Sequence, residues 1–486
     1  MQLNFNTILR NKIESSDIYE TLKHAKNYFS ADVATNAIGF ISIPIFTRLF
    51  TQEDYGVVAV FSSYIGIMAI ILSLNSYSAV GRYFYEKTDD FGEFLGTSFI
   101  FVGIILSVSI SIYIFFYQKI NNLLNLPGFL PVYLIIACIF EIIRSVYAQI
   151  LVPQKGSREL ALVAISEGYI RFVIAVILAY LLKENRYLGK VWAVLLIGLF
   201  FSFYYIKRIR HFFKFSFRKA HVKYIMNYSI PLIPHNLSGI ILTQFDRIMI
   251  NNILNSASVG LYSLGYNVGM LLLIVNRATL TALIPDFMKF LDGKEYERLD
   301  ILMEKVFSIG TVAALGLILF AKEIVLILVD VKFHESLKVI PIVVIGYVFH
   351  EMYQMYGMYP GYKKLTIYTS ITSLSAGLLN ILLNAIFIPR YGYLAGAYTT
   401  LISYLFMFFL AWIIAKFILN LRVSPLWLFW KPTLIMLAFT AFIYFIKGFN
   451  LSEMYLVLIK LILLAIFCFI IFYKEIANIL IITNDK

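Results

Sequence analysis

The sequence predicts an all-α integral membrane protein of about 14 transmembrane helices, in two pseudo-symmetric six-helix bundles plus two C-terminal helices. Three observations predict it. Hydrophobic residues make up 60% of the 486-residue chain and charged ones only 14%, with a mean hydropathy of +0.80, well outside the soluble range. Nearly the whole chain is consumed by apolar runs near the roughly 20 residues that a helix needs to cross about 30 Å of hydrocarbon. Finally, two helix ends, one in each half of the chain, repeat the same arrangement of residues.

In chain order, residues 1–27 are polar and mixed in charge (Arg10, Lys12, Glu14, Asp17, Glu20, Lys23, Lys26) and read as a cytoplasmic leader. The run that follows is of full membrane length without a small-residue cleavage site, so it reads as a span rather than a signal peptide. Six spans at 28–50, 57–80, 94–117, 130–152, 160–182 and 188–206 make an N-terminal lobe, 28–206. A basic cytoplasmic linker, 207–222, holds Lys207, Arg208, Arg210, Lys214, Arg218 and Lys219. Spans at 223–250, 257–282, 303–329, 339–360, 366–388 and 392–415 make a C-terminal lobe, 223–415. Residues 416–486 add two spans, 427–446 and 453–473, and a cytoplasmic tail. The sixth span is short, and Lys322-Glu323 interrupts the ninth.

Lysine and arginine concentrate in alternate connections, above all in 207–222, then in 283–305 and 361–365. By the positive-inside rule these face the cytoplasm, as do both termini. The net charge of +13 therefore reads as a topology signal and as contacts for anionic membrane lipids, not as nucleic-acid binding. Cys138 and Cys468 both fall inside apolar runs, as two small buried hydrophobes rather than a disulfide.

The repeat is positional. After Pro44 come Phe46-Thr47-Arg48-Leu49-Phe50 and then a polar turn, Thr51-Gln52-Glu53-Asp54, leading to Gly56. After Pro231 and Pro234 come Phe245-Asp246-Arg247-Ile248 and then Asn255-Ser256-Ala257-Ser258, leading to Gly260. Duplicated bundles of this kind are a transporter architecture. Prolines inside spans, including Pro341, mark places where a helix can kink.

No P-loop, zinc-ligand cluster, Gly-x-Ser-x-Gly elbow or dinucleotide fingerprint is present, so the sequence excludes ATP hydrolysis by this chain and gives no enzyme signature and no cofactor. Chemistry rests instead on charges placed at mid-depth, where each costs about 2.5–3.5 kcal/mol on the insertion scale. Glu141 and Arg144 are three residues apart and Glu167 and Arg171 four apart, so each pair shares a helix face. They read either as self-neutralising pairs or as a polar wall whose arginines bind an anion. Arginine suits the second role because its planar fork grips phosphate in bidentate fashion and never deprotonates. Arg48, Arg247 and Arg277 lie nearer the membrane faces, where snorkelling to the interface is the alternative to ligand binding. His350-Glu351 is either a proton site or a buried hydrogen-bonded pair, and Asp246 is a second candidate for ion coupling.

The stretch Ser42-Ile43-Pro44-Ile45-Phe46-Thr47-Arg48-Leu49-Phe50-Thr51-Gln52-Glu53-Asp54-Tyr55-Gly56 resembles the opening signature of polysaccharide-biosynthesis exporters, the O-antigen-type lipid-linked oligosaccharide flippases. Gly81-Arg82-Tyr83, Phe245-Asp246-Arg247 with Val259-Gly260-Leu261-Tyr262, and Ile388-Pro389-Arg390-Tyr391-Gly392 are similar to the same family. The resemblance implies two lobes, a central cationic cavity and alternating access. It implies a cargo of undecaprenyl-diphosphate-linked oligosaccharide, moved from the cytoplasmic to the outer leaflet of a bacterial cytoplasmic membrane for lipopolysaccharide or other surface polysaccharide. Arg144, Arg171 and Arg277, helped by Arg48 and Arg247, would hold the diphosphate. Glu141, Glu167, Asp246, His350 and Glu351 would supply the polar cavity or the coupling to H+, Na+ or the membrane potential. A polysaccharide polymerase and chain-length machinery are the expected protein partners. The alternatives are a multidrug/cation antiporter or lipid II flippase of the same superfamily, and a membrane polysaccharide polymerase or ligase. The last usually needs a long outer loop, and the outer loops read from this sequence are nearly all short.

Overall fold

Every regular element among the described residues of this computed structural model is helical. Those residues are 27, 30–31, 33–86, 89–446, 448–449 and 452–484, with side chains as far as Tyr473. The expected leader lies outside them except for Asn27, whose Nδ2 donates to Ser157 Oγ (3.0 Å).

Two compact units divide the chain, Met1–Leu237 and Ser238–Lys486. The first holds α1 (Val33–Leu49), α2 (Gln52–Ser73), α3 (Ser76–Glu86), α4 (Phe91–Phe115), α5 (Tyr117–Leu124), α6 (Leu130–Leu151), α7 (Ser157–Leu181), α8 (Tyr187–Ile209) and α9 (Lys219–Ser229). Helix α10 (Ile233–Ile240) runs across the boundary. The second holds α11 (Asp246–Ile253), α12 (Ser256–Gly269), α13 (Leu272–Asp292), α14 (Tyr296–Leu319), α15 (Ala321–Leu328), α16 (Ile340–Tyr362), α17 (Thr366–Tyr391), α18 (Leu394–Ile413), α19 (Trp427–Ile446) and α20 (Glu453–Asn484). The sequence divides the chain at 207–222, whereas the structure divides it after Leu237, because 207–222 packs on the first unit.

Among the described residues eleven helices are long and apolar enough to cross a membrane, or twelve when the bent pair Val331–Lys338 and Ile340–Tyr362 counts as one span. The chain is a multi-pass membrane protein. The shortfall from the expected fourteen falls on the first and seventh predicted spans. Helix α1 is apolar but short. The run 223–250 is not one helix: α9, a 3-10 turn at Ile230–Leu232, α10 and a π turn at Ile241–Phe245 precede α11. Pro231 and Pro234 lack the N–H that an α-helix needs there, and the π turn is a single wide turn of the sort found at functional sites. The predicted span 57–80 is also corrected. Leu74 (φ 45°) and Asn75 (φ 56°) adopt the left-handed conformation and separate α2 from α3.

The two repeated helix ends begin alike. Thr51 Oγ1 accepts from the Asp54 N–H (3.0 Å) while the Asp54 carboxylate accepts from the Thr51 N–H (3.0 Å), a capping box for α2. Asn255 Oδ1 accepts from the Ser258 N–H (2.8 Å) at the start of α12. The polar turn of the sequence signature is thus a helix start. It is tied down further where Arg186 Nη1 donates to Leu49 O (2.9 Å).

Aromatic packing fills the first unit. Tyr83 stacks on Phe94 with ring centres 3.8 Å apart, and Tyr147 on Tyr205 at 4.5 Å. At Gly96 of α4 a Cβ would stand 2.0 Å from the carbonyl oxygen of Lys214, a backbone atom that cannot step aside. Gly96→Ala is therefore expected to destabilise this unit by about 1–3 kcal/mol, the usual cost of overpacking. Thermal unfolding of the detergent-purified variant checks it, and an unchanged midpoint would contradict this packing.

Candidate functional site

In the first unit the two predicted ion pairs come together. Arg144 grips Glu141 in bidentate fashion, Nε to Oε2 at 2.9 Å and Nη2 to Oε1 at 2.5 Å. One turn-spacing along α7, Arg171 Nη2 donates to Glu167 Oε1. Tyr205, from α8, donates its hydroxyl to the other oxygen, Glu167 Oε2 (2.5 Å). All five side chains line a single cavity of about 200 Å³, together with Ser62 and Phe140. Spacing on α6 and α7 puts each pair on one face, and the packing of both helices against α8 turns those faces to a common space.

Exposure within this cavity is asymmetric. The Arg144 and Arg171 side chains are 47% and 37% exposed, but Glu141 is 30% and Glu167 only 8% exposed. In each pair the glutamate is the more buried partner and the arginine the more exposed. Arg171 Nε is buried without a hydrogen-bond partner. With two arginines and two glutamates the cavity is balanced in formal charge rather than strongly cationic. What it offers an anion is forked donors already oriented by their carboxylates.

The second unit holds the other predicted residues, and they do not form one group. Arg277 lines a cavity of about 380 Å³ with Thr281, Tyr353, Gln354 and Thr369. Neighbouring His350 and Glu351 diverge. The His350 ring lies 5.0 Å from that of Tyr404, centre to centre. Glu351 is fully buried on α16 where α14 crosses it, and neither carboxyl oxygen has a hydrogen-bond partner. Gly310 makes room for it, since a Cβ there would lie 2.2 Å from Glu351 Oε2.

Asp246 and Arg247 diverge too. Asp246 is 1% exposed and accepts from Tyr262 Oη (2.6 Å), Thr400 Oγ1 (2.7 Å) and Asn384 Nδ2 (2.5 Å). This is a carboxylate ringed by neutral donors from α12, α17 and α18, with Asn380 Oδ1 accepting from Asn384 Nδ2 (3.1 Å) behind it. Arg247 is buried and donates to Ser263 Oγ (3.1 Å), Thr243 O (3.0 Å), Gln244 Oε1 and Asn267 Oδ1 (3.3 Å). Its guanidinium also lies 5.2 Å from the Tyr266 ring centre. Its donors are taken up by this unit, so Arg247 locks α11 rather than facing a cavity. Arg48 turns back on its own helix, Nη1 to Pro44 O at 2.6 Å.

Sequence reasoning missed Tyr205 and the shell around Asp246. A signal for the shell was present, because Asn380 and Asn384 stand four apart inside an apolar span and Thr399-Thr400 interrupt the next. Cys138 is buried and free, and Cys468 is free. Among the described residues no group of three or more His, Cys, Asp or Glu side chains could hold a metal ion.

A family model described as polysaccharide biosynthesis protein matches residues 22–291. Lsg locus protein 1 of Haemophilus influenzae is 24% identical over 282 residues, covering 57% of this chain and 68% of its own. A protein of Haloferax volcanii named as a probable low-salt glycan biosynthesis flippase, Agl15, is 23% identical over 390 residues, covering 77% of this chain and 79% of its own. Among solved structures, the lipid II flippase MurJ in an inward closed conformation superposes with a TM-score of 0.73 at 17% identity, covering 92% of this chain and 99% of that one. An inward-facing multidrug resistance MATE transporter gives 0.61 at 14% identity, over 79% of this chain and 94% of that one. These two likenesses show the fold, one shared with the lipid II flippase MurJ and the MATE transporter. The proteins matched here by names that state an activity are flippases and transporters, not enzymes.

Proposed function

The chain belongs to the polysaccharide biosynthesis protein family, and from that premise we propose that it flips undecaprenyl-diphosphate-linked oligosaccharide repeat units from the cytoplasmic to the outer leaflet of a bacterial cytoplasmic membrane. The observation that carries this reading is the convergence of Glu141–Arg144 and Glu167–Arg171 on one cavity, with the arginines as its exposed members. Arg144 and Arg171 hold the diphosphate through charge-assisted hydrogen bonds, and Arg277 offers a further contact in its own unit. Arg247 has a positioning role, and Arg48 is left to the interface. Alternating access then carries the polar headgroup across while the polyprenyl tail stays in lipid. Moving negative charge outward is favoured by an inside-negative potential, by about 2.3 kcal/mol per charge per 100 mV. Asp246, ringed by donors that tolerate a proton or Na+, is the candidate for ion coupling. Both termini are cytoplasmic in this reading, and the product is handed to a polysaccharide polymerase and its chain-length machinery.

Deleting the gene and analysing membrane lipids by mass spectrometry tests the cargo. Undecaprenyl-diphosphate oligosaccharide should accumulate on the cytoplasmic side. Accumulation of lipid II instead would make this a lipid II flippase, and unchanged lipids with altered drug tolerance would make it an antiporter.

A further inference from the structure

Between α8 and α9 the chain runs extended from 213 to 218 and lies along the first two turns of α4. Lys214 N donates to Gly92 O (3.0 Å), Thr97 Oγ1 donates to Ser216 O (3.1 Å), and Arg218 N donates to Thr97 Oγ1 (3.2 Å). The Arg218 side chain pairs with Glu93. Just beyond, His221 is buried, its Nε2 3.1 Å from Asp90 Oδ2, and Tyr83 Oη donates to Asp90 Oδ1 (2.8 Å). Burial opposes ionisation of Asp90, yet those two hydrogen bonds hold its carboxyl below the ordinary value. This segment is therefore fixed, not a loose tether.

An extended chain alternates its side chains. Residues 214, 216 and 218 make the hydrogen bonds and the ion pair with α4, so 215 and 217 point away from it, while the Phe213 ring packs edge-on against Phe99 of α4, with ring centres 6.0 Å apart. Residues 215 and 217 are both phenylalanine, 85% and 51% exposed. Around them Lys207, Arg210, Lys214, Lys219 and Lys223 are exposed and form no ion pair among the described residues. Two phenylalanines held outward amid five unpaired cations suit neither water nor the hydrocarbon core. They suit the boundary between headgroups and acyl chains, where rings sink and cations meet phosphate. The depth agrees: α4 is 25 residues, roughly 37 Å at about 1.5 Å per residue, against about 30 Å of hydrocarbon, so its first turns stand at headgroup level.

We propose that 207–223 is a lipid-docking surface for anionic headgroups, with Phe215 and Phe217 inserted into the leaflet and Arg210, Lys214 and Lys219 on its phosphates. It needs membrane residence only, and stands whatever the cargo. The test uses the full-length protein carrying Cys138→Ala, Cys468→Ala and Phe215→Cys, with a nitroxide on the new cysteine, in vesicles of phosphatidylcholine alone or with phosphatidylglycerol. With phosphatidylglycerol the label should be relaxed by oxygen more than by a water-soluble nickel chelate, and it should sit shallower in phosphatidylcholine alone. Adding Arg210→Gln, Lys214→Gln and Lys219→Gln should lower the selectivity for spin-labelled phosphatidylglycerol about fivefold per charge removed. Nickel-dominated relaxation in both vesicles, equal depth in both, or a label shielded from both relaxers, as at a protein interface, would each overturn the proposal.

Discussion

Replacing Arg144 and Arg171 together with alanine is expected to abolish export of the lipid-linked glycan that we propose as cargo. Each guanidinium contributes charge-assisted hydrogen bonds worth about 1.5–3 kcal/mol, or roughly ten- to a hundredfold in binding apiece. The double variant also strands Glu141 and Glu167, and a buried carboxylate left without its partner costs about 3–5 kcal/mol. That penalty is largest at Glu167, the least exposed of the four. A quadruple variant adding Glu141→Ala and Glu167→Ala removes both charges of each pair and separates binding from folding. If the cavity holds the diphosphate, the quadruple variant regains stability but not export, read as surface glycan at matched expression. Recovery of export by the quadruple variant would show that the pairs only neutralise each other.

Asp246→Asn is the second large effect. Tyr262, Thr400 and Asn384 all donate to this carboxylate, and an amide turns a donor of its own into that ring. One or two hydrogen bonds must go, at about 1–3 kcal/mol for each buried group left unpaired. The expected outcome in proteoliposomes is transport that no longer responds to an imposed Na+ or H+ gradient but still responds to membrane potential. An unaltered gradient response would take Asp246 out of the coupling step.

Sequence reading reached the helical fold, the mid-membrane pairs and the two capped helix starts for a common reason. All three are local: apolar length, i to i+3 or i+4 spacing, and a polar turn before a helix. Where it failed, the cause lay partly in contacts between distant segments and partly in local geometry that hydropathy does not count. Asp246 meets Asn384 and Thr400 across 138 and 154 residues, which no spacing reveals. The run 223–250 reads as one apolar span because hydropathy counts residues and ignores the hydrogen bonds that Pro231 and Pro234 remove. His350 and Glu351 are neighbours in sequence and read as a pair, but consecutive helix positions are about 100° apart and need not share a face. Lys322 and Glu323 read as an interruption of an apolar run. In the structure Lys322 Nζ reaches Glu453 Oε1 (2.6 Å) and Lys460 Nζ reaches Glu323 Oε1 (2.5 Å).

That last contact bears on how the chain is made. Lys460 is 1% exposed, inside the most apolar span among the described residues. Its partner Glu323 is synthesised 137 residues earlier, so it is already in the bilayer when α20 emerges from the ribosome. Until the two meet, α20 carries a bare ammonium at a cost of about 2.5–3.5 kcal/mol. Docking on α15 relieves that cost at the end of biosynthesis. A second unit without Glu323 in place therefore leaves the Lys460 ammonium unpaired in its last helix.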